Sequence, residues 1–153
     1  MTTTTTTIAY ADVAGLAGTD LGYTDWLEIT QEQVNTFADA TGDHQWIHID
    51  RERAAKGPFG TTIAHGFLTL SLLPRLAASA LEIGDVRMGV NYGLNRVRFP
   101  APVPSGSRIR AHLKLLSYEP LDGGAQLVME VTMERDGGDK PVCVAETVSR
   151  RYL

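Results

Sequence analysis

Between His65 and about Ile83 the chain places Phe67, Leu68, Leu70, Leu72, Leu73, Leu76, Leu81 and several alanines at nearly every azimuth of a helix. A helix that is apolar all round has no face to offer water, so the rest of the chain has to bury it. Pro74 lies inside this segment and lacks a backbone donor, which predicts a kink or a restart of the helix near that residue. The 153 residues are enough for one domain with its own core, without disulfide or metal support.

The period changes after Gly84. Ile109, Ala111, Leu113 and Leu115 alternate with Arg108, Arg110, His112 and Lys114, and Leu127, Met129, Val131 and Met133 alternate with mostly polar neighbours. Such alternation predicts strands with one covered face. Met88, Val90, Tyr92 and Leu94 hold one parity and Val97 and Phe99 the other, a slip that predicts a bulge near Asn95 or Arg96. Asp122-Gly123-Gly124 and Asp136-Gly137-Gly138 read as turns, and Val142 to Tyr152 as a last strand. One wholly apolar helix followed by about four long antiparallel strands asks for a curved sheet wrapped around that helix. The expectation is an α+β single hot-dog domain over residues 8–153, preceded by a disordered threonine-rich tail over residues 1–7.

An earlier helix is marked by its ends. Thr30 and Gln33 have the spacing of a capping box, Ile29 and Val34 that of a hydrophobic staple, and Gly42 stands where a left-handed C-terminal residue is wanted. That helix delivers its end to Asp43. From Gly42 to Thr62 the chain is rich in Gly, Pro and polar residues, which predicts a loop with one short helix after Asp50, ending before Gly57-Pro58.

Composition removes several classes of function. The net charge of −4 argues against nucleic-acid binding, and no apolar run is long enough to span a bilayer. The single Cys143 cannot form an internal bridge, and the N-terminal residues lack the basic-then-apolar layout of a secretory signal, so a reducing cytoplasm is expected. No Gly-rich loop follows a strand as a nucleotide site would need, and no cofactor is expected. Arg87, Arg96, Arg98, Arg108, Arg110 and Lys114 crowd one stretch. They could hold the phosphates of an anionic ligand such as coenzyme A, or form the solvated faces of two strands.

The stretch from Gly42 to Asp50 carries the chemistry. Asp43 and His48 stand five residues apart in a segment that must pack near the buried helix. Adding water across a conjugated double bond needs a base to take a proton from water and an acid to supply one at the α-carbon, and two groups gripping one water can do both. The spacing does not assign which group is acid and which is base. Ala64-His65-Gly66-Phe67 opens the apolar helix, whose first amides have no internal acceptors. The Gly66 N–H could stabilise an enolate oxygen there.

Gly42-Asp43, His48-Ile49-Asp50 and Ala64-His65-Gly66-Phe67 together resemble the signature of MaoC-like dehydratases, the (R)-specific enoyl-CoA hydratases. Tyr92-Gly93-Leu94-Asn95 and Val97-Arg98-Phe99-Pro100 resemble the subgroup related to nodulation protein N, and the likeness runs from about Trp26 to Leu153. It implies Asp43 and His48 as the catalytic pair, the Gly66 amide as oxyanion donor, and Gln45, His65 and Ser71 as substrate contacts. It further implies an acyl-CoA thioester substrate and a homodimer with coenzyme A across the subunit boundary. Gln45-Trp46 stands where many members carry Asn-Pro, so the loop and the acyl pocket are expected to differ there.

Other readings remain open at this level. His44, His48 and His65 with Asp43 have the donor types of a zinc or iron site, although Trp46 interrupts the loop that carries two of them, and no metal is expected. Ser71, inside an apolar helix, lacks the exposed strained turn of a hydrolytic serine. A hot-dog thioesterase would use the carboxylate to activate water against the thioester carbonyl, and a non-catalytic acyl-CoA-binding module would keep Asp43 and His48 for structure.

Overall fold

The computed structural model describes residues 4–153. Strand β1 (Thr6–Ala9) leads into a short helix α1 (Tyr10–Val13), then β2 (Asp20–Tyr23) and β3 (Leu27–Glu28). Helix α2 (Gln31–Thr41) begins and ends as its caps require. The Thr30 hydroxyl accepts from the Gln33 amide at 3.1 Å, and Gly42 adopts φ 77° while its N–H donates to Ala38 O. Ile29 and Val34 are both fully buried in one cluster. Two short helices follow, α3 (Trp46–Ile49), which the loop reading did not anticipate, and α4 (Arg51–Ala55), capped by Asp50.

The apolar segment forms two helices, α5 (Gly66–Ser71) and α6 (Leu73–Ala80), with the restart at Leu72 that Pro74 called for. It differs from expectation in two respects. It stops at Ala80, because Leu81–Gly84 is extended as β4. It is also buried on one face only: Leu68, Thr69, Leu72, Leu76 and Ala80 point into the core, while Phe67 is 71% exposed and Ser71 and Arg75 are open as well.

The principal sheet runs β2-β6-β7-β8-β5, with β3 also paired to β6, through β5 (Met88–Arg98), β6 (Arg108–Leu121), β7 (Gly124–Arg135) and β8 (Cys143–Tyr152), all neighbours antiparallel. Ile109, Ala111, Leu113 and Leu115 are at most 1% exposed, so the alternation read in β6 is its core face. Against β8, β5 breaks register between Asn91 and Gly93 and again between Leu94 and Arg96; the second break is the bulge the parity slip implies. α5 packs on β8 and α6 on β6, so the helices lie across the concave face of the sheet in a hot-dog fold.

The last threonines of the run expected as a tail are held in the fold. Thr6 and Thr7 pair parallel with Leu81 and Glu82, and the Thr5 hydroxyl donates to the carbonyls of Ala78 and Ser79 at the open end of α6. Ile8 packs beside Ile83 on the small cluster of Val13, Leu115 and Leu127. These partners lie more than seventy residues away in sequence, so no local pattern betrays them. Met1 to Thr3 lie outside the described residues.

The basic stretch is divided by strand order. Arg108, Arg110 and Lys114 lie on β6, whereas Arg96 and Arg98 lie on β5, with β7 and β8 between them. Strand spacing alone puts roughly 14 Å between the two groups. Arg108 is paired with Asp136, and Arg110 with Glu134 at 2.6 Å, so these two cations are already neutralised by carboxylates.

Candidate active site

Asp43, His48 and His65 converge, each offering an atom within 4.8 Å of the others. His48 projects from α3 and is 6% exposed. Its Nδ1–H donates to Ile63 O at 2.7 Å, which leaves Nε2 as the lone-pair nitrogen. The backbone around it is fixed as well: the Gln31 amide donates to His48 O at 2.8 Å, and the Thr62 hydroxyl holds the Gln31 carbonyl oxygen. Burial pushes the His48 pKa below its ordinary value; the hydrogen bond to Ile63 O opposes this in part, His65 adds a smaller downward push and Asp43 a still smaller upward one. His48 is therefore a neutral base at neutral pH.

Asp43 follows the left-handed Gly42, and its carboxylate accepts from the Gln45 amide at 3.3 Å. Its side chain is 52% exposed, so the carboxylate stands at the mouth of the site and the imidazole inside it. His65, only 3% exposed, ties the two together. Its Nε2–H donates to the Asp43 carbonyl at 3.0 Å, and its ring stacks on His48 with centroids 3.8 Å apart and planes 22° apart. Phe37 covers the other side at 4.8 Å. His65 Nδ1 is buried with no partner among the described residues. The three residues have donor types that suit either proton transfer or a metal ion.

Gly66 is the first residue of α5, and no described residue accepts its N–H. A Cβ at Gly66 would lie 2.9 Å from Phe99 Cδ2, so the glycine leaves room for that ring. Ser71 donates to Phe67 O at 2.6 Å and lines the mouth of a cavity of about 570 Å³ between the helices and the sheet. The cavity begins one helical turn beyond Gly66 and does not include the histidines. Gln45 caps α3 through its backbone, with its side chain exposed. Trp46 turns away, under Arg53 and against Gly57, and is not part of the cavity wall. His44 bonds Asp39 at 2.9 Å, outside the cluster.

A family model for the MaoC-like domain matches residues 12–138. The chain belongs to the MaoC-like dehydratases. It is 59% identical to 3-hydroxyacyl-thioester dehydratase Z of Mycobacterium tuberculosis over 92% of this chain and 93% of that one. It is 45% identical to nodulation protein N of Rhizobium leguminosarum bv. viciae over 93% and 90%. The fold matches an R-hydratase from Pseudomonas aeruginosa with a TM-score of 0.70 at 24% identity, covering 87% of this chain and 79% of that one. It also matches the (R)-hydratase from A. caviae with a TM-score of 0.68 at 21% identity, covering 87% and 94%. Family and relatives together make this MaoC-like protein a hydro-lyase of the dehydratase/hydratase kind. None of its described helices is long and apolar enough to cross a membrane.

Of the residues expected from the sequence, the structure brings Asp43 and His48 together, and His65, expected as a substrate contact, touches both of them. Sequence reasoning missed Arg151, which reaches the far wall of the cavity. The only trace of Arg151 in the sequence is an arginine pair near the end of the last strand.

Proposed function

We propose that this protein hydrates trans-2-enoyl-CoA to (R)-3-hydroxyacyl-CoA, and runs the reverse dehydration, with Asp43 and His48 sharing the water. The observation that carries this reading is the neutral, backbone-anchored His48 with Nε2 free, within 4.8 Å of the Asp43 carboxylate. Two hydrogen bonds of about 2.8 Å meeting at one oxygen reach across a separation of up to that size, so both groups can touch one water. His48 Nε2 takes a proton from the water as the oxygen bonds to C3, and Asp43 holds the water's other hydrogen and favours the transient imidazolium. The imidazolium then returns its proton to C2, so neither residue changes charge over the cycle. The thioester oxygen gathers negative charge at the unengaged Gly66 amide. His65 is a positioning residue for both reacting groups.

A homodimer fits the same reading. β5 pairs with β8 on one edge and with no described strand on the other, and Met88, Val90, Tyr92 and Leu94 leave apolar side chains exposed along that strand. Sedimentation equilibrium of the purified chain tests this and is expected to give twice the chain mass.

The mechanism is tested by Asp43→Asn and His48→Gln, each expected to lower turnover of an enoyl-CoA about a hundredfold or more. Circular dichroism should show the fold retained. Near-normal turnover in either variant removes that residue from the reaction.

A further inference from the structure

On the concave face of β8, Ala145, Thr147, Ser149 and Arg151 succeed one another at every second residue, opposite Val131, Met129, Leu127 and Ala125 of β7. The β7 row is what a core strand should present. The β8 row starts apolar beside α5 and becomes steadily more polar over about 20 Å, ending in a cation. Thr147, Ser149 and Arg151 all line the cavity, whose other walls are Leu70, Leu73, Leu113 and Met129.

Arg151 is partly buried, and no carboxylate, carbonyl or hydroxyl among the described residues pairs with it. Its neighbour Arg150 points to the other face of the sheet, over the Tyr92 ring and onto Gln126. Room for the Arg151 guanidinium comes from Gly89 directly opposite on β5: a Cβ there would lie 2.9 Å from Nη1 and 3.3 Å from Cζ. Burial without a partner weakens its hold on its proton, and an anion brought to it would relieve that cost.

The geometry points to a cavity that binds acyl chains ending in an anion, with the Arg151 guanidinium taking a carboxylate at the far end of the chain. A ligand of this class is an alkyl segment, matched by the leucines and methionine, with one negative group beyond it, matched by Arg151 beside Asn91 and Ser149. The mouth at Ser71 lies one turn along the helix from Gly66, so a chain whose thioester sits at Gly66 enters the cavity by its alkyl part. From Gly66 to Ala77, which also lines the cavity, the helices run about 16 Å, the reach of a medium-length chain. This inference rests on the hydratase reading for the position of the thioester. It does not rest on that reading for the anion site.

The test is calorimetric binding of saturated acyl-CoA thioesters, which cannot be hydrated, in a length series ending either in methyl or in carboxylate. The wild-type protein is expected to bind the carboxylate-ended member about tenfold or more tightly at the length that reaches Arg151, a charged hydrogen bond in a partly desolvated site being worth that much. The preference should vanish in Arg151→Met and return in part in Arg151→Lys. Equal binding of both series at every length by wild type, or a preference that survives Arg151→Met, overturns the proposal. The same series on pantetheine separates a second source of anion. If Arg151 meets a phosphate of the carrier, Arg151→Met weakens both CoA series equally and neither pantetheine series, which also overturns it. Failure of the hydratase reading shows elsewhere, as an enoyl-CoA left unbleached by wild type, and leaves the binding comparison readable.

Discussion

Replacing His65 by glutamine removes the ring that touches both members of the proposed reactive pair and leaves an uncharged polar side chain in its place. Two contacts set the size of the effect: the 3.0 Å hydrogen bond to the Asp43 carbonyl and the 3.8 Å stack on His48. A hydrogen bond of this kind contributes about 0.5–1.5 kcal/mol and an aromatic pair a similar amount, so about 1–3 kcal/mol of positioning is at stake. If that is felt at the transition state, where a tenfold change in rate is about 1.4 kcal/mol, kcat/KM falls roughly 5- to 150-fold. A second readout separates positioning from loss of structure. His65 helps depress the His48 pKa, so the acid limb of the kcat/KM profile should move to higher pH in His65→Gln. The assay is enoyl-CoA bleaching as a function of pH, with thermal melting as the control. A variant within twofold of wild type and with an unmoved acid limb would refute the positioning role.

Two further outcomes follow from the same geometry. Because burial depresses the His48 pKa, His48 contributes stability that is fully present above its unfolded value of about 6.5 and is lost as the pH falls through the lower folded value. Denaturant unfolding should therefore lose more free energy in wild type than in His48→Gln between about pH 7.5 and about pH 5, and equal losses would show that His48 is not buried neutral. Gly66→Ala drives a Cβ to 2.9 Å from Phe99 Cδ2, an overpacking expected to cost about 1–3 kcal/mol in melting experiments. In a Phe99→Ala background the same substitution should cost little, and an undiminished cost there would mean that the crowding lies elsewhere.

Features fixed by neighbours in sequence were readable from it. The capping pattern at Thr30, Gln33 and Gly42 is a contract among residues a few positions apart, and α2 obeys it. The alternation of Ile109, Ala111, Leu113 and Leu115 likewise records one strand facing one core. Features fixed by distant partners were not. Leu81 and Ile83 suit the helical period, yet they leave it because β1 pairs there. The arginines looked like one cluster until strand order set β7 and β8 between them. Asp43 and His48 were proposed from residue type and spacing, whereas the contact of His65 with His48 is a ring stack across seventeen residues, which no spacing rule encodes. Arg151 was hidden because the sheet register, with two shifts in β5, decides which of two adjacent arginines faces inward.

The most direct measurement is the ultraviolet absorbance of crotonyl-CoA and of a longer trans-2-enoyl-CoA mixed with the wild-type protein, with free thiol assayed in the same samples. Hydration predicts loss of the enoyl absorbance without thiol, and a product accepted by an (R)-specific 3-hydroxyacyl dehydrogenase. Release of thiol, or an absorbance that does not change with either substrate, would contradict it.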